Sequence, residues 1–327
     1  MKWGIMAAGT IAVKFASTIK AMEAEGEELL AVASRSREKA EAFLSEHGGR
    51  KAYGSYDELL SDKEVEGVYI AAPNNLHAEL TRKCLLAGKH VLCEKPFTTN
   101  AEEAKELYEL AKEKGLFLME GFWIRFLPLY EKLLSIISSK TYGELRHVRC
   151  EYGFIAKGAR RERKFLSELG GGALLDIGIY NLGFLYMVMG SSPESFTSQV
   201  QMSEYGTDAF SALQLTYPGG RTAQSVQTIG LQIERHAALY FDQASIYLPD
   251  FQKAETMFIK PNEGEAFTVN CPIEVADFAY EVREASRCVR EKKTRSEIFT
   301  PEDSLAVLRQ LDEIRASWDM RFSFEKE

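Results

Sequence analysis

Lys95, Asp176 and Tyr180 carry the side chains best suited to moving a proton. Lys95 stands in Glu94-Lys95-Pro96, directly after His90–Cys93, an apolar run that reads as a strand. Open α/β sheets bind ligands at the carboxyl ends of their strands, so this lysine lies where a substrate would be held. Its cation can hydrogen-bond an oxygen and favour a developing alkoxide, while Pro96 fixes the backbone just after it. A lysine after a strand is otherwise an ordinary solvated residue. Asp176 and Tyr180 are four residues apart in a stretch of helical pattern and share one face. A phenol, with a pKa of about 10 in water, becomes a general acid/base when a nearby lysine lowers that value. The aspartate can hydrogen-bond a substrate hydroxyl. The competing reading is a helix face, with Leu175, Ile179 and Leu182, packed in a core. An Asp there is costly to bury without a partner, which favours chemistry.

A second constellation opens the chain. Trp3–Ala7 reads as a strand and runs into Ala7-Ala8-Gly9-Thr10-Ile11-Ala12, which opens a helix. Such a turn lets backbone N–H groups approach a pyrophosphate, and the helix N-terminus adds its positive dipole end. Of the usual G-x-G-x-x-G/A pattern, the second glycine and the final small residue stand, while Ala7 replaces the first glycine. The alternative is a βα turn without a ligand. An NAD site places an acidic residue at the end of the second strand; here Ser34-Arg35-Ser36-Arg37 stands instead. Arg35 and the serine hydroxyls suit a ribose 2′-phosphate, so the expectation is NADP rather than NAD. Gly170–Gly172 allow the helix that carries Asp176 to start close to the nicotinamide or its phosphates.

These residues need a scaffold. In the first 120 residues the strand candidates Trp3–Ala7, Leu29–Ala33, Gly67–Ala72, His90–Cys93 and Leu116–Met119 alternate with helical stretches. That alternation implies βαβ units, a doubly wound parallel sheet of Rossmann type with helices on both faces. Asn100, with Glu103 three residues on, resembles a capping box. After residue 120 the pattern becomes short strands separated by brief turns such as Pro218-Gly219-Gly220, flanked by helices at Leu127–Ser138, Leu174–Met189, Val275–Glu291 and Ser304–Ser317. This predicts an α+β domain with a large, predominantly antiparallel open-faced sheet. The domains are expected at 1–120, binding a dinucleotide, and 121–327, binding substrate and forming an oligomer.

The length of 327 residues is about twice that of one ordinary domain. A net charge of −8 argues against nucleic acid or an anionic membrane as partner. No run is read as a membrane span or a secretory signal. The five scattered cysteines include no CxxC pair, so no metal site is expected and a reducing cytoplasm is the simplest compartment.

Three further segments carry a family likeness: Ala72-Pro73-Asn74-Asn75-Leu76-His77, Cys93-Glu94-Lys95-Pro96, and Gly170 to Tyr180 with its glycine triplet. Together they resemble the glucose–fructose oxidoreductase/inositol dehydrogenase (Gfo/Idh/MocA) family. Met119–Phe126 and Tyr180 look most like its branch of dihydrodiol dehydrogenases and NADP-dependent D-xylose dehydrogenases.

The resemblance implies a cofactor site of Ala8, Gly9, Thr10, Ile11, Ser34, Arg35, Ala72, Pro73, Asn74, His77, Glu94 and Lys95. It implies catalysis by Lys95, Tyr180 and Asp176, in a pocket with Trp123 and Arg125. The expected activity is NADP-dependent hydride transfer to or from a hydroxyl-bearing carbon of a sugar, polyol or cyclic trans-diol. A keto-sugar reductase and a non-catalytic dinucleotide-sensing regulator are the alternatives. A homodimer, or a tetramer, through the C-terminal sheet is also implied; Thr222, Gln224, Val226 and Thr228 would share one face there.

Overall fold

The computed structural model describes residues 1–158 and 160–325. They form two compact units, Met1–Trp123 with Glu274–Leu305, and Ile124–Ile273 with Ala306–Glu327.

The first unit begins with β1 (Lys2–Met6), α1 (Thr10–Ala21), β2 (Glu28–Ala33), α2 (Arg37–His47), β3 (Lys51–Tyr53), α3 (Tyr56–Ser61), β4 (Gly67–Ile70), α4 (His77–Leu86), β5 (His90–Glu94), α5 (Ala101–Lys114) and β6 (Leu118–Gly121). All pairings are parallel, in the order β3-β2-β1-β4-β5-β6. The strand order reverses between β1 and β4, so the connections after these two strands diverge and leave a crevice at their carboxyl ends. Asn100 accepts the Glu103 N–H at 2.9 Å, as its spacing anticipates. Ser36 and Ser55 cap α2 and α3 in the same way. Edge strand β3 has only three residues, too few to show a period, and goes undetected in the sequence.

The second unit holds α6 (Pro128–Ser138), β7 (Leu145–Ile155), α7 (Arg160–Phe165), a π-turn at Leu174–Gly178 that runs into α8 (Ile179–Met189), β8 (Ser195–Met202), β9 (Asp208–Tyr217), β10 (Arg221–Thr228), β11 (Gly230–Phe241), β12 (Ala244–Leu248), β13 (Thr256–Pro261) and β14 (Phe267–Asn270). Its sheet runs β14-β13-β12-β11-β7-β10-β9-β8. One pairing, β7 with β10, is parallel. After β7 the chain leaves the sheet through α7 and α8 and returns at edge strand β8. The antiparallel pairings β8–β9 and β9–β10 then bring β10 beside β7 in the same direction. On β10, Ala223, Ser225 and Gln227 are buried while Gln224 is exposed and Thr222 and Val226 are half-buried. Thr228, expected on the outward face, is buried and donates to the Ala209 carbonyl at 2.8 Å.

The segment Ser167–Met189 is long and apolar enough to cross a membrane, which the sequence reading did not anticipate, yet most of it is buried inside the second unit. A helix apolar all round is a core helix when packed this way. Asn181 anchors it, donating to Ser225, the Val226 carbonyl and Gln227 at 3.0–3.1 Å.

The chain ends with α9 (Ala279–Arg290) and α10 (Pro301–Ser317). Glu274–Leu305, grouped by sequence with the second domain, clusters with the first unit. Its contacts there are specific: Arg283 donates twice to Glu25, Asp277 pairs with Lys14 at 2.8 Å, and the Leu118 N–H donates to the Thr294 carbonyl.

Candidate active site

At the carboxyl end of β1, Ala7 adopts φ +72°, and its carbonyl accepts the Gly9 N–H at 3.0 Å. Gly9 is the N-cap of α1, and a Cβ there would meet only the Ala71 carbonyl oxygen, at 3.9 Å. The first turn of α1 has no acidic residue, and no side chain caps it. Ala8 and Ile11 are half-buried and Thr10 is exposed. An uncapped helix N-terminus with open space over Gly9 fits a pyrophosphate. At the end of β2, Ser34 is buried and its N–H donates to the Tyr53 carbonyl, while Arg35 is exposed. The Ser36 hydroxyl oxygen serves as the α2 cap.

The loop after β4 runs through Ala72 and Pro73 into a 3-10 turn, Asn74–Leu76. Asn74 is half-buried, and the Asn75 side-chain oxygen is buried without a hydrogen-bond partner. His77 is 1% exposed, with Nδ1 2.8 Å from the Pro96 carbonyl and Nε2 3.0 Å from the Ala72 carbonyl. Burial lowers its pKa despite those two acceptors, and the charge of Lys95 adds to the effect. The imidazole therefore lies between the Ala72 and Pro96 carbonyls, bridging the loop after β4 and the turn after β5, and in its neutral form donates its one N–H to one of the two.

Lys95 follows β5 and is half-buried; its peptide with Pro96 is cis. Its charge acts on two buried carboxyls, Glu94 and Glu120. Glu94 accepts the Tyr69 hydroxyl, and Tyr69 stacks on Phe15 at 3.8 Å. Glu120, on β6, accepts the Phe97 N–H at 3.0 Å and the Ser304 hydroxyl. Burial pushes its pKa up to about 7. Glu120 thus braces the backbone that follows Lys95-Pro96. Its signal in the sequence is a carboxyl among Leu118, Met119, Phe122 and Trp123, a setting that demands a buried partner. Trp123 is buried beside Phe278, and the Lys14 ammonium lies 4.5 Å from the Trp123 ring and 4.3 Å from the Phe278 ring.

In the second unit, Asp176 and Tyr180 flank the transition from π-turn to α8, where the spacing anticipated a continuous α-helix. Rare π-turns of this kind recur at functional sites. The Asp176 N–H donates to the Gly172 carbonyl, and Lys164 pairs with the Asp176 carboxylate. Tyr180 is 5% exposed, its ring 6.4 Å from that of Tyr152. Burial raises the Tyr152 pKa, Asp176 raises it further, and Arg235, 5.6 Å from its ring, opposes them. Tyr152 and Arg235 carry no motif in the sequence, and Lys164 ends a basic run, residues 160–164, that reads by default as a solvated loop and is assigned no role by sequence. Arg125 is half-buried in the 3-10 turn Trp123–Phe126. Among the described residues no His, Cys, Asp and Glu group is placed to hold a metal.

Residues 1–122 match the model of an oxidoreductase family with an NAD-binding Rossmann fold, GFO/IDH/MocA, and residues 130–247 match the C-terminal domain of that family. The chain is 35% identical over 320 residues to the trans-1,2-dihydrobenzene-1,2-diol dehydrogenase of Xenopus tropicalis, covering 95% of this chain and 96% of the relative. The human protein of the same name is 32% identical over 337 residues, covering 100% and 99%. A 3-ketoreductase from Actinomadura kijaniata, solved in complex with NADP and TDP-benzene, superposes with a TM-score of 0.86 at 27% identity over 97% of each chain. The chain belongs to the GFO/IDH/MocA family of oxidoreductases, as a dehydrogenase or reductase with an NAD-binding Rossmann fold.

Proposed function

We propose that this protein is an NADP-dependent dehydrogenase acting on a hydroxyl-bearing carbon of a cyclic trans-diol, sugar or related polyol. The observation that carries the reading is the pairing of an uncapped, non-acidic α1 N-terminus with Lys95 at the end of β5. Full-length relatives named dihydrodiol dehydrogenase support the substrate class. Ser34 and Arg35, with no carboxylate, favour the 2′-phosphate of NADP. A dinucleotide held at Gly9 and the α1 N-terminus would bring a nicotinamide able to take up or supply the hydride. Lys95 hydrogen-bonds the reacting oxygen and favours its alkoxide form. Tyr180 exchanges the proton at that oxygen, and Asp176 accepts a hydrogen bond from a substrate hydroxyl. Trp123 and Arg125 line the substrate pocket. His77 and Glu120 hold the loops around Lys95 in place.

Two further parts of the reading concern the whole molecule. All five cysteines are buried free thiols, which suits a reducing cytoplasm. A second copy of the chain covers the open sheet face, where Tyr240, Tyr247 and Phe258 are exposed on neighbouring strands.

The test is initial-rate absorbance of reduced nicotinamide with NADP or NAD against aldopyranoses, inositols and cyclic trans-diols. Turnover with NADP in preference to NAD is expected, and Tyr180→Phe should lower kcat by about a hundredfold or more with cofactor affinity kept. Preference for NAD overturns the reading of Ser34 and Arg35. Reduction of keto-sugars alone would move the assignment to the activity named for the A. kijaniata neighbour. Cofactor binding without turnover on any class would make the chain a dinucleotide sensor.

A further inference from the structure

The glycine triplet Gly170–Gly172 is packed against the chain itself: Gly171 abuts the backbone at Lys164–Leu166, and Gly172 abuts the Asp208 carboxylate. A Cβ on Gly171 would lie 2.6 Å from the Lys164 carbonyl oxygen and 2.9 Å from that of Leu166. The Gly172 N–H donates to the same Lys164 carbonyl at 2.8 Å, and the Gly171 N–H donates to Leu166 at 3.1 Å. Gly172 itself has φ +113°, a conformation open to glycine. Asp208 pins the other side, its carboxylate accepting the Leu174 N–H at 2.8 Å.

The glycines therefore deliver Lys164 to a fixed place. From there its ammonium pairs with Asp176 Oδ2 and lies 4.9 Å from the Phe154 ring. The side chains of Lys164 and Asp176 remain 32% and 24% exposed. The pair thus sits at the surface of the second unit, where a ligand can reach it, and not in the core.

We propose that Lys164 is a positioning residue for substrate, holding the Asp176 carboxylate in the orientation that accepts a hydrogen bond from a neutral hydroxyl. This rests on the reading above that Asp176 contacts substrate. A cation held against Oδ2 biases the carboxylate torsion toward the orientation in which that oxygen faces Lys164 and Oδ1 is presented to the hydroxyl. The pair is also electrically balanced, which suits an uncharged polyhydroxyl compound better than an anionic one.

The test measures KM and kcat for Lys164→Met, Lys164→Arg, Asp176→Asn and the Met/Asn double variant, using whichever neutral diol or sugar the wild type turns over. NADPH affinity, read from the fluorescence of the bound cofactor, is followed in parallel. Lys164→Met should raise KM about tenfold or more, the worth of one charged-group hydrogen bond, with a smaller change in kcat and unchanged NADPH affinity. Lys164→Arg should recover most of the loss, and the double variant should be no worse than Asp176→Asn alone. If Lys164→Met does not fold, Lys164→Gln reads the same split. An unchanged KM in an active Lys164→Met enzyme overturns the proposal, as does a loss that persists undiminished in the Asp176→Asn background. A wild type inactive on every neutral hydroxyl compound overturns the dehydrogenase reading, and this proposal with it.

Discussion

Glu94, Glu120 and Glu281 are all buried in the first unit, and burial is the main cause that raises each carboxyl pKa. What differs is compensation. Glu94 accepts the Tyr69 hydroxyl, and Glu120 accepts the Phe97 N–H and the Ser304 hydroxyl. Both Glu281 oxygens are buried with no hydrogen-bond partner, and the charge of Glu94 raises its pKa further against a weaker pull from Lys14. The folded protein therefore keeps a proton on Glu281 that the unfolded chain releases above the ordinary carboxylate range. The stability tied to this proton is complete below the unfolded pKa. It falls by about 1.4 kcal/mol per pH unit between the unfolded and the raised folded value. Glu281→Gln, a neutral isostere, should show a flatter fall of Tm with rising pH and exceed the wild type above neutrality. Thermal melts across pH check this, and parallel curves for the two proteins would refute it. Glu120 could be suspected in the sequence as a carboxyl in an apolar run. Glu281 could not, because Arg283, Glu284 and Arg287 surround it in the sequence and make it look solvated.

Among the elements, the β1–α1 turn departs most from the usual phosphate-binding pattern. Ala7 stands where that pattern has a glycine, and the structure places it at φ +72°. A Cβ in the left-handed region costs about 1–2 kcal/mol, so the chain accepts strain to keep the turn. Ala7→Gly should relieve it, offset in part by the greater freedom of glycine in the unfolded chain, for a net gain of about 0.5–1 kcal/mol. Chemical denaturation measures the gain; a loss of stability would mean that the turn is not strained at Ala7. The π-turn at Leu174–Gly178 was equally unreadable, since a single extra residue per turn leaves the apolar pattern of a core helix intact. Capping, in contrast, is local chemistry, and Asn100 with Glu103 could be read directly.

At the scale of the molecule, the outer face of the second unit's sheet carries an aromatic row. Tyr247 and Phe258 face each other across β12 and β13, their rings stacked at 6.4 Å, and Tyr240 lies on β11 beside them. This row is the face proposed above for a second copy, on the ground that exposed apolar surface grouped in this way is characteristic of association faces. Light scattering should give the mass of a dimer for the wild type and of one chain for a Tyr240→Glu, Tyr247→Glu variant, with NADPH affinity retained. A monomeric wild type, or a dimer that survives both charges, would place the interface elsewhere.

The sequence alone determined what depends on short spans of chain. It placed the alternating strands and helices of the first unit apart from β3 and α3, Lys95 at a strand end, the missing carboxylate after β2, and the Asp176–Tyr180 spacing. Each follows from backbone periodicity or from a neighbour a few residues away. Only the tertiary structure brought Lys164 to Asp176, Ser304 to Glu120, and Glu94 close to Glu281, and joined Glu274–Leu305 to the first unit. It also aligned β7 with β10 in parallel. Such pairings depend on the path of the whole chain, which is set by many weak contacts summed over the core, so no single stretch of sequence records them.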